Sequence, residues 1–199
     1  DADLAARRIE ANLAASGADI RHFILRSHDV GHCLGDFDCW IRTPGRCRIK
    51  DEGQEVERAV HDADLVAMTT PIAFGAYGPH LKKVTDRLIP LILPFFAKSA
   101  DLTHHAHRYD RLPKMVAVGF SNGTDATEAE LFRAFVESQA LNLGAPAWSA
   151  IVLPANGLLS EQLLTGLLAP GVEAALRGGS AAGATARVRV VFTAGPVSA

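Results

Sequence analysis

The chain has 199 residues, 48% of them hydrophobic and 21% charged, enough to bury one sizeable core and consistent with a single domain over 1–199. A formal net charge of −2, with no basic run longer than Arg7-Arg8 or Lys82-Lys83, excludes the broad positive footprint of a nucleic-acid binder. The longest apolar run, Leu88 to Ala97, is broken by Pro90 and Pro94 and is too short to span a bilayer, and no signal peptide is read, so a soluble cytoplasmic protein is expected.

Along the chain, Leu4 to Ser16 reads as an amphipathic helix, with Ala5, Ile9 and Leu13 four apart, Asp1 or Asp3 as its cap and Gly17 past its end. Ile20 to Leu25 alternates and then runs apolar, as a strand of a covered parallel sheet does. A cysteine-rich loop follows. Gln54 to His61 is a short helix, Leu65 to Thr70 a buried strand ending at Pro71, and Gly78 to Leu88 a helix by its Leu81, Val84, Leu88 spacing. Lys114 to Gly119 is another buried strand, and Thr127 to Ala140 a helix with Leu131, Phe132, Phe135 and Val136 on one face. Ala147 to Leu153 is a strand, and Ser160 to Arg177 is mostly helical with a break at Pro170-Gly171. After the glycine-rich stretch 178–185, Val188 to Phe192 is a strand running into a Gly-Pro loop. Helices alternating with buried strands predict a doubly wound α/β fold.

The cysteine-rich loop carries an unusual combination: Cys33, Gly35, Asp36, Phe37, Cys39 and Trp40, then Thr43-Pro44-Gly45, Cys47 and the acidic Asp51. It resembles the loop of the flavodoxin-like NAD(P)H-dependent FMN reductases and iron-sulfur flavoproteins, whose pattern has a fourth cysteine where Asp36 stands. Three thiols in a Cys-x5-Cys-x7-Cys spacing suit neither a four-thiolate cluster nor a tetrahedral zinc site, so no metal is expected and the cysteines read as packing residues. An odd number of cysteines fits a reducing compartment.

The resemblance implies a flavodoxin-like five-stranded parallel sheet in the order 2-1-3-4-5, with FMN at the carboxyl ends of the strands. Such a chain opens on a strand, whereas this one opens on the helix after it. Val188 to Phe192 therefore reads as the first strand displaced to the C-terminal end, in a circular permutation, with Ala199 near Asp1; the alternative is an ordinary sixth strand on a sheet edge. Arg187 and Arg189 fit poorly in a central strand and favour that alternative.

Three loops are then expected to hold FMN. Thr193, Gly195, Pro196, Val197 and Ser198 would surround its phosphate at the N-terminus of the first helix, although the family's Ser and Arg are missing there and Asp1 and Asp3 would oppose an anion. Pro71, Ile72, Ala73, Phe74, Gly75 and Tyr77 resemble the family's Thr-Pro-x-Tyr-Phe-Gly loop, with Gly75 allowing close approach and Phe74 and Tyr77 offering flat contact. Read from the residues alone, the same stretch is a strand-to-helix turn with two aromatic packers, and Asp86-Arg87 a surface ion pair. Phe120, Ser121, Asn122 and Gly123, in the turn running on to Asp125, would border the ring's other edge, or simply cap the helix at Thr127.

His104-His105-Ala-His107 with Arg108-Tyr109-Asp110 lacks a carboxylate at ligating spacing and resembles a loop covering a substrate pocket. Tyr77 or His105 would donate a hydrogen bond to an acceptor; no catalytic acid or base is assigned, and His22, His32, His61 and His80 read as incidental. The proline-broken run Leu88 to Phe96 suits a subunit interface in a homodimer or higher homo-oligomer. The function implied is an FMN-dependent oxidoreductase moving hydride from NAD(P)H to a quinone, flavin or similar small acceptor, with a flavin-free or weakly flavin-binding assembly module as the alternative.

Overall fold

The structure is a computed structural model and describes residues 2–15, 17–99, 102–123, 126–168 and 188–195. Helix α1 spans Ala2–Ala15 and leads to strand β1, Asp19–Ile24, and a 3-10 turn, Leu25–Ser27. The cysteine-rich loop holds a single helical turn, α2 (Asp38–Ile41), before α3 (Gly53–Asp62). Strand β2 (Leu65–Ala73) folds back through β3 (Ala76–Tyr77) into α4, Pro79–Asp86. Strands β4 (Ile92–Ser99) and β5 (Leu102–His107) precede β6 (Lys114–Ser121), α5 (Ala126–Asn142) and β7 (Trp148–Pro154). A helix over 161–168, α6, and strand β8 (Val188–Thr193) complete the described chain.

The main sheet has the order β1-β8-β2-β6-β7, with every one of these neighbours parallel. Strand β8 lies between β1 and β2, in register Asp19↔Val188 through Ile24↔Thr193 on one side and Leu65↔Arg189 through Thr69↔Thr193 on the other. This is the 2-1-3-4-5 order, with β8 in the central place, so the edge-strand alternative is overturned. The expected proximity of Asp1 and Ala199 lies outside the described residues, as do the Pro170-Gly171 break and the 178–185 stretch.

Alternation along the strands divides two cores, as it must when both faces of a sheet are covered. Leu65, Ala67, Val116, Val118, Phe120 and Val191 meet Ala5, Ala6, Ile9 and Leu13 of α1 and Leu164, Leu167 and Leu168 of α6. Val66, Met68, Met115, Ala117, Val190 and Phe192 face Val56, Val60, Leu81, Val84, Phe132 and Val136 of α3, α4 and α5. Leu131, expected on the apolar face of α5, is instead exposed beside the β2–β3 turn.

The chief difference from expectation is the antiparallel hairpin β4–β5, which takes up the apolar run and the histidine segment that read as a loop. Its register slips between Ile92 and Phe96, where Pro94 has no N–H for the ladder. The base is fastened by Arg108, whose N–H reaches Leu91 O at 3.2 Å and whose Nε reaches Pro90 O at 2.9 Å, and by Trp40 Nε1, 3.0 Å from Ile92 O. Phe95, Phe96 and Leu102 project from it exposed.

Candidate functional site

Strand order reverses at β8, since β1 lies on one side of it and β2 with the rest on the other, and in open parallel sheets the place for a ligand crevice is the carboxyl end of such a strand. The segments ending there are the turn Leu25–Ser27, Thr193 to Gly195, the β2–β3 connection and Ser121 to Gly123.

At the end of β8, the Thr193 hydroxyl is buried and committed: Oγ1 is 2.7 Å from His22 Nε2, and His22 Nδ1 is 2.9 Å from Glu10 Oε2. His22 is thus a bridge between α1, β1 and β8 rather than an incidental surface residue. Ala194 N–H closes on Thr69 O at 2.9 Å. Gly195 is buried, and a Cβ there would run into the Arg26 guanidinium, with Arg26 Cζ at 3.2 Å and Asp3 Oδ1 at 3.1 Å. Arg26 holds both oxygens of Asp3, at 2.9 and 3.0 Å, across from the turn after β1 to the first turn of α1. Sequence reasoning passed over Arg26, whose only signal is its place two residues after the end of β1, the strand beside β8. Pro196, Val197 and Ser198 lie outside the described residues.

The second loop is a tight hairpin with Ile72↔Tyr77 and Ala73↔Ala76 paired, leaving Phe74 and Gly75 as a two-residue turn with φ of 52° and 73°. That geometry is the mirror-image turn that suits antiparallel strands, and a phenylalanine in it is unusual. Phe74 is fully exposed at the tip, while Pro71, Ile72 and Ala73 are half-buried. Gly75 is required by α5, because a Cβ would stand 2.8 Å from Leu131 Cβ. Tyr77 does not offer its ring or hydroxyl to the crevice: it is 2% exposed, packed edge-on against Phe132 and Phe135, and burial pushes its phenol pKa up. Its inward direction follows from alternation, since Tyr77 pairs with Ile72 on the α5 side of the strand.

In the third loop Ser121 is buried and bonded to Glu128, Gly123 N–H reaches Ser121 Oγ at 3.1 Å, and Asn122 and Gly123 are exposed. Phe120 points the other way, into the core beneath α1, as the alternation of β6 dictates. The surfaces brought to the crevice are therefore Arg26, Gly195, Pro71 to Gly75, Asn122 and Gly123; Thr193, Tyr77 and Phe120 support them from below.

The cysteine-rich loop packs against a buried charge cluster. Arg87, 2% exposed, pairs with Asp51 and donates to Gly31 O at 3.1 Å, while Asp86 pairs with Lys82; the expected Asp86-Arg87 surface pair does not form. Burial alone would raise the Asp51 carboxyl, but Arg87 and the N–H groups of Gly31 and Gly53 hold it below its ordinary value. Burial pushes Glu57 the other way, up to about 6, despite its bond from Cys47 N–H at 3.3 Å.

Cys33, Cys39, Cys47 and Asp36 line a small cavity of about 20 Å³. Asp36 is engaged by Arg48 Nε at 2.7 Å and by Asp38 N–H at 3.0 Å. Burial, then the neighbouring Cys47 and Cys33, pushes the Cys39 thiol up to about 11. Three thiols and a carboxylate already held by a guanidinium do not fit a four-thiolate cluster. Among the described residues no group of three or more His, Cys, Asp or Glu is arranged to hold a metal. A wider cleft of about 360 Å³, lined by Thr85, Leu88, Ile92, His105, Gln139 and Asn142 among others, runs between α4, the hairpin and α5. His105 is wedged there between Trp40 and Phe96, with ring centroids 4.9 and 4.7 Å away.

Residues 2–151 match the family of NADPH-dependent FMN reductases, and the chain belongs to that family. An iron-sulfur flavoprotein of Methanocaldococcus jannaschii is 28% identical over 83 residues, a segment that spans 42% of this chain and 42% of that relative. Among solved structures, an FMN-dependent NADH-azoreductase from Bacillus anthracis in complex with FMN superposes with a TM-score of 0.52 at 13% identity, covering 89% of this chain and 92% of its own. A second azoreductase structure from Bacillus anthracis gives 0.50 at 15% identity, covering 86% and 90%. These two share the fold.

Proposed function

From membership of the FMN reductase family, we propose that the chain is an FMN-dependent oxidoreductase taking hydride from NAD(P)H and passing electrons to a quinone, a free flavin or a similar small acceptor. The observation that supports this most is the strand order β1-β8-β2-β6-β7, which reverses at β8 as an open parallel sheet that binds a ligand at its carboxyl end does. The chemistry of hydride acceptance and electron delivery belongs to the flavin when bound. At the end of β8 a phosphate would meet the Arg26 guanidinium, which fills the space that a Gly195 side chain would take. The half-buried Pro71 to Ala73 backbone and Phe74 would border the ring system on one side, and Asn122 and Gly123 on the other. Thr193, held by His22, fixes the loop's starting point rather than competing for solvent. The fold needs no side-chain acid or base for this role, and none is assigned.

Three finer readings accompany it. The single domain 1–199 reads as a circular permutation in which β8 does the work of the family's first strand. The exposed Phe95, Phe96 and Leu102 of the hairpin suit burial against a second copy of the chain. A cytoplasmic location fits the free cysteines; no described helix is long and apolar enough to cross a membrane.

The test is direct. Purified protein should be yellow, release a fluorescent flavin on denaturation, and oxidise NADPH or NADH when a quinone or flavin is supplied. Colourless protein that takes up no added FMN would overturn this and favour the assembly module, a reading with one observation behind it: the Asp3 carboxylate stands beside Gly195, where an anion is unwelcome.

A further inference from the structure

We propose that the cysteine-rich loop is a thiol–disulfide exchange centre for a low-molecular-weight disulfide, with Cys33 as the attacking thiol and Cys39 as the thiol that closes an internal bridge; this stands apart from the flavin reading above. Cys33 is the exposed thiol of the three. It lines both cavities beside the loop, the wide cleft of about 360 Å³ and the small one of about 20 Å³ that it shares with Cys39 and Cys47. The first admits a small organic molecule. The second holds about one water, so only the protein's own thiols can meet there. A sulfur common to both walls can react outward and be resolved inward. Elsewhere the cleft is walled by apolar Leu88, Ile92 and Leu143 and by the amides of Gln139 and Asn142, which suits an uncharged, polar substituent on the disulfide.

The loop is shaped to gather its thiols. Between Cys33 and Cys39 the chain turns through two residues of positive φ, Gly35 at 65° and Phe37 at 56°, and Asp36 accepts from Asp38 N–H at 3.0 Å. Arg48, next to Cys47, reaches Asp36 at 2.7 Å and Asp38 at 3.3 Å, which draws the third cysteine back against the start of α2. Burial, then the nearby Cys47 and Cys33, raises the Cys39 thiol, as suits the second nucleophile rather than the first. A proton acceptor is at hand. Glu57 takes the Cys47 N–H on Oε2 at 3.3 Å, and its charge is felt at Cys39. Its Oε1 is buried and accepts no hydrogen bond, with Arg87 Nη2 3.6 Å away.

The exchange runs in two displacements. The Cys33 thiolate attacks one sulfur of RSSR, the S–S bond breaks and RS⁻ leaves. Cys39 then attacks the Cys33 sulfur of the mixed disulfide while its proton passes to Glu57, and the second RS⁻ leaves. The protons given up by Cys33 and Cys39 end on two RSH, the substrate gains two electrons, and the chain is left with a Cys33–Cys39 disulfide.

The experiment mixes the reduced full chain, anaerobically and without NADPH, with bis(2-hydroxyethyl) disulfide and follows intact mass, free thiols and released 2-mercaptoethanol. The wild type should lose two of its three thiols, release two 2-mercaptoethanol per chain and show a Cys33–Cys39 link on peptide mapping, reversed by dithiothreitol. Cys39→Ser and Cys39→Ala should both stop at a mixed disulfide on Cys33. Cys33→Ser should lose the fast reaction, and Cys47→Ser should behave as the wild type. Loss of a positioned base predicts bridge closure about 100-fold slower in Glu57→Gln, with the first displacement unchanged. A wild type that keeps the adduct, a bridge that includes Cys47, or thiol loss as fast in Cys33→Ser would overturn the proposal. Closure as fast in Glu57→Gln would overturn the part given to Glu57.

Discussion

Arg87 and Asp51, 36 residues apart, meet as a two-pronged ion pair, Nη1 to Oδ2 at 2.9 Å and Nη2 to Oδ1 at 3.0 Å, with the arginine side chain almost wholly buried. The pair joins the end of α4 to the entrance of α3 and, through Gly31 O, to the start of the cysteine-rich loop. Replacing one partner strands the other charge away from water. Arg87→Gln is expected to cost about 3–5 kcal/mol in urea unfolding. A loss below about 1 kcal/mol would mean that the pair behaves as a solvated surface contact.

Glu57 predicts an opposite pH response from its neighbour. Its folded pKa, about 6, is above the ordinary 4.5, so the native state holds the proton more tightly than the unfolded chain. Between those two values the unfolded state ionises first, and this group's contribution falls as pH rises, then stays low above 6. Asp51, held below its ordinary value, contributes stability that is present above that value and lost only in acid. Glu57→Gln should flatten the segment between pH 4.5 and 6 and raise the urea midpoint at pH 7. An unchanged pH profile would show that Glu57 is not the group responsible.

Gly75 is held by two independent demands, a positive φ and the Leu131 Cβ 2.8 Å from where its own would stand. Gly75→Ala should therefore cost about 1–2 kcal/mol from the backbone conformation, plus the clash. Leu131→Gly in the same chain, which removes that Cβ, should return the clash part only, relative to Leu131→Gly alone. Full recovery in the double variant, read from thermal unfolding, would show that φ carries no penalty here.

The cysteine-rich loop is expected to carry no iron-sulfur cluster. Anaerobically purified protein should lack iron and acid-labile sulfide at cluster stoichiometry, and Cys33→Ser should fold and keep its flavin. Joint loss of iron and flavin in that variant would refute the reading that Asp36, held by Arg48, has closed the site.

Central placement makes β8 indispensable. Both of its sides carry a parallel ladder, so a chain ending at residue 187 leaves β1 and β2 with unpaired N–H and C=O groups facing each other. That chain should show no cooperative unfolding transition. Val191→Asp, which sets a carboxylate in the core beneath α1, should lower stability by about 3 kcal/mol or more, whereas retention of cooperative folding by the truncated chain would remove the case for β8 as a core strand.

The strands were legible because parallel strands covered on both faces must be apolar along their length, and Leu65-Val-Ala-Met, Met115-Val-Ala-Val and Val190-Val-Phe are so. The strand β8 was legible in the same way, and the structure sets it between β1 and β2. The hairpin was hidden by Pro94 and by the histidines of β5, whose pattern alternates too weakly to mark a strand. Site side chains were harder. Alternation turns Tyr77 and Phe120 inward, and nothing in a motif says which face of the strand it uses. Arg87 and Arg26 find their carboxylates far along the chain, whereas a sequence suggests first the neighbour next door, Asp86 for Arg87.

The position of β8 also orders events during synthesis. The ribosome releases β1 and β2 long before residues 188–193, yet the two can join only through the strand that arrives afterwards. Until then the nascent chain holds two apolar strands with open inner edges, the state most exposed to pairing with a neighbouring chain. Ladder partners as distant as Asp19 and Val188 make closure a slow, late event, so production of this protein depends on how well the cell shelters the emerging chain until β8 is delivered.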